Sequence, residues 1–69
     1  MKSLNAFEIA RLRRAAVKVK AGLIIVPGLA ADNDFVAALV SGDYTERLAA
    51  GELSPSDWAA ASLLSEVEA

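Results

Sequence analysis

Asp32 and Asp34 form one close carboxylate pair and Asp43 and Glu46 another, while Ser3, Ser41, Ser54, Ser56, Ser62 and Ser65 are spread along the chain. Paired carboxylates can share acid and base roles or hold a hard cation. A serine can act as a nucleophile when a neighbouring base takes its proton. Neither use is expected here. The sequence has no His to activate a serine, and no Ser–Lys motif stands in for one. Each carboxylate pair sits where a helix would begin, so capping is its simpler role. The sequence also has no Cys, which removes thiolate sites along with imidazole ones. Gly22 and Gly28 flank an apolar run and no Gly-Lys-Ser/Thr follows, so no phosphate-cradling loop is read. The chain is therefore expected not to be an enzyme, to use no cofactor or metal, and to act on no small-molecule substrate.

The cations are better organised. Arg11, Arg14 and Lys18 recur at helical spacing, with Arg13 and Lys20 beside them. Residues 1–20 carry a net charge of +5 and residues 21–69 a net −7, so the overall −2 hides a strong polarity. Such polarity implies either a match between the two halves or separate external partners. Arg11, Arg14 and Lys18 are the expected partner-binding face, with an acidic protein surface as the preferred partner. A small nucleic-acid-binding regulator using the same helix is the alternative, because arginines also meet phosphates and base edges. The acidic overall balance weighs against it, as does the lack of aromatics among the basic residues, Phe7 apart. Residues 44–64 have a helix–Gly turn–helix outline. Its would-be recognition helix has no basic residue and carries Asp57 and Glu66, which suits a phosphate backbone poorly. Membrane contact is not expected, since the basic helix has little apolar bulk beyond Phe7, Ile9 and Leu12.

The elements that must position these groups follow from capping and periodicity. Asn5 and Glu8 have the spacing of a capping box, and Leu4 and Ile9 that of a hydrophobic staple. Ile9, Leu12, Ala16 and Val19 then form an apolar stripe, and Gly22 is a natural stop. This predicts a basic helix over about residues 6–20. A rival reading takes the alternation in Val17-Lys18-Val19-Lys20 as a strand, with Ala21-Gly22 turning into a hairpin.

Leu23, Ile24, Ile25 and Val26 are aliphatic and mostly β-branched, and Pro27-Gly28 closes them with a turn signal. A short central β segment is expected at about residues 23–26. If residues 17–20 are helical, that segment has no mate within the chain, and its backbone groups call for another molecule. These four residues are thus the expected self-association or partner strand. An extended connector packed on the helices is the plainer alternative.

Three acidic helices are expected next. Asp32 or Asp34 caps one over about residues 34–41, ended by Gly42. Asp43 with Glu46 starts a second over about residues 44–50, ended by Gly51. Ser54 caps the third, with Pro55 at its first position and Leu53 and Trp58 as a staple. Ala60, Leu63, Leu64 and Val67 are its apolar stripe. Trp58 is expected at the core and Tyr44 at the surface.

The fold expected is therefore mainly α in one small domain. Residues 1–20 form the basic helical part, 21–28 the β and turn part, and 29–69 the acidic helical part. Fifteen of the apolar residues are alanine, which favours helix but buries little area, so the core is thin. Chains this short usually need extra support, and without cysteine that support is self-association or a larger partner. The longest uncharged apolar run, residues 21–31, is interrupted by Pro27-Gly28 and falls short of the roughly 20 residues a membrane span needs. A basic region before that run and Leu29-Ala30-Ala31 within it resemble a secretory leader. The basic region is too long and too amphipathic, so no leader is expected. The cytoplasm, or the interior of a virion, is the expected location. The short, alanine-rich, cysteine-free composition has the look of a bacterial or bacteriophage accessory protein. The function expected is protein–protein interaction, as an oligomer or a subunit of an assembly: a virion or assembly component, or a modulator of a host protein.

Overall fold

In the computed structural model, which describes residues 4–67, the Asn5 side chain accepts a hydrogen bond from the Glu8 amide at 2.8 Å. The Asn5 amide in turn donates to Glu8 Oε1 at 3.2 Å, completing the capping box. Helix α1 then runs Ala6–Lys20, which excludes the hairpin reading of residues 17–26. Leu4 and Ile9 both pack at the margin of the core, as a staple requires. Leu12, Ala15, Ala16 and Val19 are its buried face. Lys18 and Lys20 lie in its last turn, where cations complement the helix dipole. Replacing Asn5 with Ala removes a side-chain acceptor from an exposed N-terminus, so urea unfolding followed by circular dichroism should show a loss of about 1 kcal/mol.

The end of α1 is a Schellman motif. The Gly22 amide donates to Val19 O and the Leu23 amide to Lys18 O, both at 3.0 Å. Gly22 adopts φ +76°, which an L side chain rarely takes. The chain then crosses to the next helix through residues 23–33.

No strand forms at residues 23–26 among the described residues, contrary to the sequence expectation. The only pairing there is an isolated antiparallel bridge between Val26 and Leu29. It closes a tight turn in which the Leu29 amide donates to Val26 O at 3.0 Å. Pro27 and Gly28 fill the central positions, and Gly28 at φ +84° gives the turn its type II character. The physical reason for the missing strand is the one that excluded the hairpin: α1 keeps residues 17–20 for itself, so no second strand is left to pair.

Helix α2 spans Asp34–Ser41 and is capped by Asn33, not by Asp32 or Asp34. The Asn33 carboxamide oxygen accepts from the Phe35 amide at 2.8 Å and the Val36 amide at 3.3 Å. Helix α3, Thr45–Ala50, follows after Gly42. Asp43 and Glu46 do not form the anticipated capping box. The helix starts at Tyr44 with no side-chain cap, and Thr45 Oγ1 donates to Gly42 O at 2.9 Å. Helix α4, Pro55–Val67, begins as expected, with Ser54 Oγ accepting from the Asp57 amide at 3.2 Å.

Helix α1 is the hub, packing against α2, α4 and α3. The core gathers Leu12, Val19, Phe35, Val36, Leu39, Leu48 and Leu64 with several alanines, and no polar or charged residue is buried among the described residues. Ala15 and Ala16 are fully buried, so the absent side-chain bulk lets the neighbouring helices come close to α1. Tyr44 is half-buried and not at the surface. Its ring lies 5.6 Å from that of Phe35 at 52°, with the Arg47 guanidinium 4.8 Å from its centroid. Trp58 is half-buried at the edge of the core.

Candidate functional site

With Leu12, Ala15, Ala16 and Val19 turned inward, the period of 3.6 residues fixes what α1 shows to the outside. Ala6, Ala10, Arg13 and Val17 lie along one flank, and Phe7, Arg14 and Lys18 follow on the outer face. That flank forms one wall of a groove of about 680 Å³. The other wall comes from α2 and α3 at Ala38, Gly42 and Thr45, and Leu39 and Leu48 lie along its floor.

The charge of the groove is one-sided. Arg13, Arg14 and Lys18 line it from α1, and no acid among the described residues lines it. Arg13 reaches across, its Nη2 donating to Val40 O at 3.4 Å. That carbonyl belongs to the last turn of α2, where a cation complements the partial negative charge of the helix end. Arg13 therefore braces the two walls. Of the three residues expected as the basic face, Arg14 and Lys18 border the groove. Arg11 does not, and is half-buried on the same helix.

The second candidate surface adjoins the end of this groove. Leu23 is held to the last turn of α1 through its bond to Lys18 O. Exposure alternates along the segment. Leu23 is 76% exposed and Ile25 is 90% exposed, while Ile24 packs against the core and Val26 is buried. This is the alternation of a half-buried strand. No backbone hydrogen bond joins Ile24 or Ile25 to any other described residue. The four residues thus divide in two: Ile24 and Val26 anchor the segment, and Leu23 and Ile25 face outward.

The large apolar side chains exposed among the described residues are Phe7, Val17, Leu23 and Ile25. Phe7 and Val17 lie on the basic helix α1, and Leu23 and Ile25 in the segment that directly follows it. Scattered exposed apolar residues are ordinary, but grouping on one region marks a contact surface.

Among the described residues, no group of three or more metal-ligating side chains is gathered and no helix is long and apolar enough to cross a membrane. Comparison with known proteins gives no match: no protein family, characterised protein or solved structure is significantly similar to the chain.

Proposed function

We propose that this protein is a non-enzymatic interaction module that works as an oligomer, by itself or within a larger assembly. The observation that carries the reading is the segment at residues 23–26. It lies outside every helix, shows Leu23 and Ile25 to the outside, and leaves the Ile24 and Ile25 backbone without partners among the described residues. An exposed edge of this kind is a template for pairing with another chain. A second copy supplies the same segment, and a two-fold axis aligns the two antiparallel. The short β segment read from the sequence would then form only on association. Leu23 and Ile25 of the two copies would lie side by side across the pair, where apolar cross-strand neighbours stabilise a ribbon.

A two-stranded ribbon alone is marginal in water, so the helices must support it. Ile24 and Val26 provide that link by fixing each strand to its own core. The basic face of α1 lies outside this pairing, and contact of that face with an acidic protein surface remains part of the proposal.

Sedimentation velocity over a range of protein concentrations tests the oligomer. The wild-type chain should sediment increasingly as a dimer at micromolar and higher concentrations. The double variant Leu23→Asp/Ile25→Asp should remain a monomer with an unchanged helical circular dichroism spectrum, because both side chains are exposed. Ile24→Asp is the wrong probe, since Ile24 packs on the core and its loss confounds folding with association. A monomeric wild type at every concentration, or a double variant that still dimerises, would overturn the strand pairing.

A further inference from the structure

Helix α1 is joined to the rest of the molecule by one long connector, and that connector carries a hinge. We propose that the paired form of this protein exchanges α1, each copy seating its own α1 on the α2–α4 body of the other. This deepens the reading of the chain as an oligomer and rests on it.

The connector comes first. Residues 21–33 separate α1 from α2, whereas residues 42–44 and 51–54 suffice for the two later connections. Helices α2, α3 and α4 are therefore closely linked, and α1 alone has a long tether. Within the tether the chain turns back at Gly22. Its φ is +76°, and nothing outside its chain neighbours lies within 4 Å of where a Cβ would stand. Ala21, Gly22 and Leu23 are all exposed. Opening this turn breaks the bonds from the Gly22 amide to Val19 O and from the Leu23 amide to Lys18 O, at a place where water replaces them. Val26 and Leu29 are buried, so the far end of the hinge stays on its own body.

The strand pairing then directs α1. In an antiparallel pair with Leu23 opposite the partner's Ile25, the chain preceding residue 23 runs alongside the partner's Val26. That is where the partner's connector enters its own body. A straight Gly22 thus delivers α1 to the partner, and a turned Gly22 folds it back on its own chain. The core is the same in both arrangements. Leu12, Ala15, Ala16 and Val19 meet the same apolar surface, the Leu4 amide meets Leu48 O, and Arg13 meets Val40 O, on another copy in place of their own. Exchange of an identical element keeps every core contact, which makes it a low-cost route to a dimer. The balance is therefore set at the hinge. There the dimer gains backbone pairing at Ile24 and Ile25 and covers the exposed Leu23 and Ile25 side chains.

Gly22 separates this dimer from one in which two unopened copies pair. Valine resists a positive φ, so Gly22→Val penalises the turned hinge and leaves the open one unburdened. In sedimentation velocity, Gly22→Val should dimerise at a concentration at least about tenfold lower than the wild type. Unopened copies keep the turn in monomer and dimer alike, so there the substitution leaves dimerisation unchanged or weaker, and that result would overturn the exchange. The wild-type chain supplies a second readout that does not depend on the variant folding. Isotope-labelled and unlabelled chains are mixed in urea, refolded together and concentrated until they sediment as dimers. Isotope-filtered NOE spectroscopy should then show contacts between Leu12 and Val19 of one copy and Val36 and Leu39 of the other, residues that share one core. Dimers with filtered contacts at residues 23–26 alone would overturn the exchange and leave the strand pairing standing. A chain that stays monomeric at every concentration would overturn both.

Discussion

Leu48→Ala is expected to cost about 3 kcal/mol of folding stability, within the range measured for leucine truncation in well-packed cores. Leu48 is 1% exposed, and it is the main side chain with which the short helix α3 enters the core. Its carbonyl also accepts the Leu4 amide at 3.3 Å, tying the entry of α1 to α3. A domain of this size has a total stability of roughly 3–10 kcal/mol, so this single loss should populate unfolded chains at room temperature. Urea titration followed by circular dichroism measures it. A loss below about 1 kcal/mol would mean that α3 does not close over the core.

Ala16→Leu is expected to cost about 2 kcal/mol, for the opposite reason. Ala16 is fully buried on α1, and the chain packs its helices closely by leaving such positions small. A leucine there must push a neighbouring helix outward or adopt a strained rotamer. For a domain of this length that corresponds to a melting temperature lower by about 8–16 °C. The control is Ala10→Leu on the exposed face of the same helix, which should change stability by no more than about 0.5 kcal/mol. Similar effects at both sites would contradict the assigned inner face of α1.

The two substitutions also show which parts of the fold were legible in the sequence. The limits of α1 and its capping box could be read because Asn5, Glu8 and Gly22 act locally and their bonds close within one turn. The same holds for Ser54 and Pro55 at the start of α4. Local signals misled where tertiary contacts decide. Asp43 and Glu46 have capping spacing, but Tyr44 is drawn onto Phe35 and the helix starts beyond Asp43. Asn33 between two aspartates takes the cap of α2, a choice among three adjacent residues with similar propensities. At residues 23–26 the aliphatic run indicated an extended backbone, but four apolar residues in a row do not say which pair faces inward. Only packing against the helices turned Ile24 and Val26 to the core and left Leu23 and Ile25 outside.

The groove lay further from view. Arg14 and Lys18 announced a basic stripe by their spacing. The facing wall of Ala38, Gly42 and Thr45 is twenty or more residues away in sequence, and nothing in its composition marks it. Arg13 read as a flanking cation, and its hydrogen bond to the end of α2 depends on how the two helices cross. Alanine-rich positions likewise serve two ends that composition cannot separate: Ala15 and Ala16 fill the core interface, while Ala6 and Ala10 line an open groove.

Residues 23–26 are proposed to complete their hydrogen bonding with a second copy. Amide hydrogen exchange at residues 24 and 25, measured at low and at high protein concentration, tests it most directly. Adjacent strand residues point their amides to opposite edges, so one of the two should exchange rapidly in dilute solution and become protected as concentration rises, and Leu23→Asp/Ile25→Asp should abolish the gain. Exchange at Ile24 and Ile25 that is the same at every concentration would contradict it.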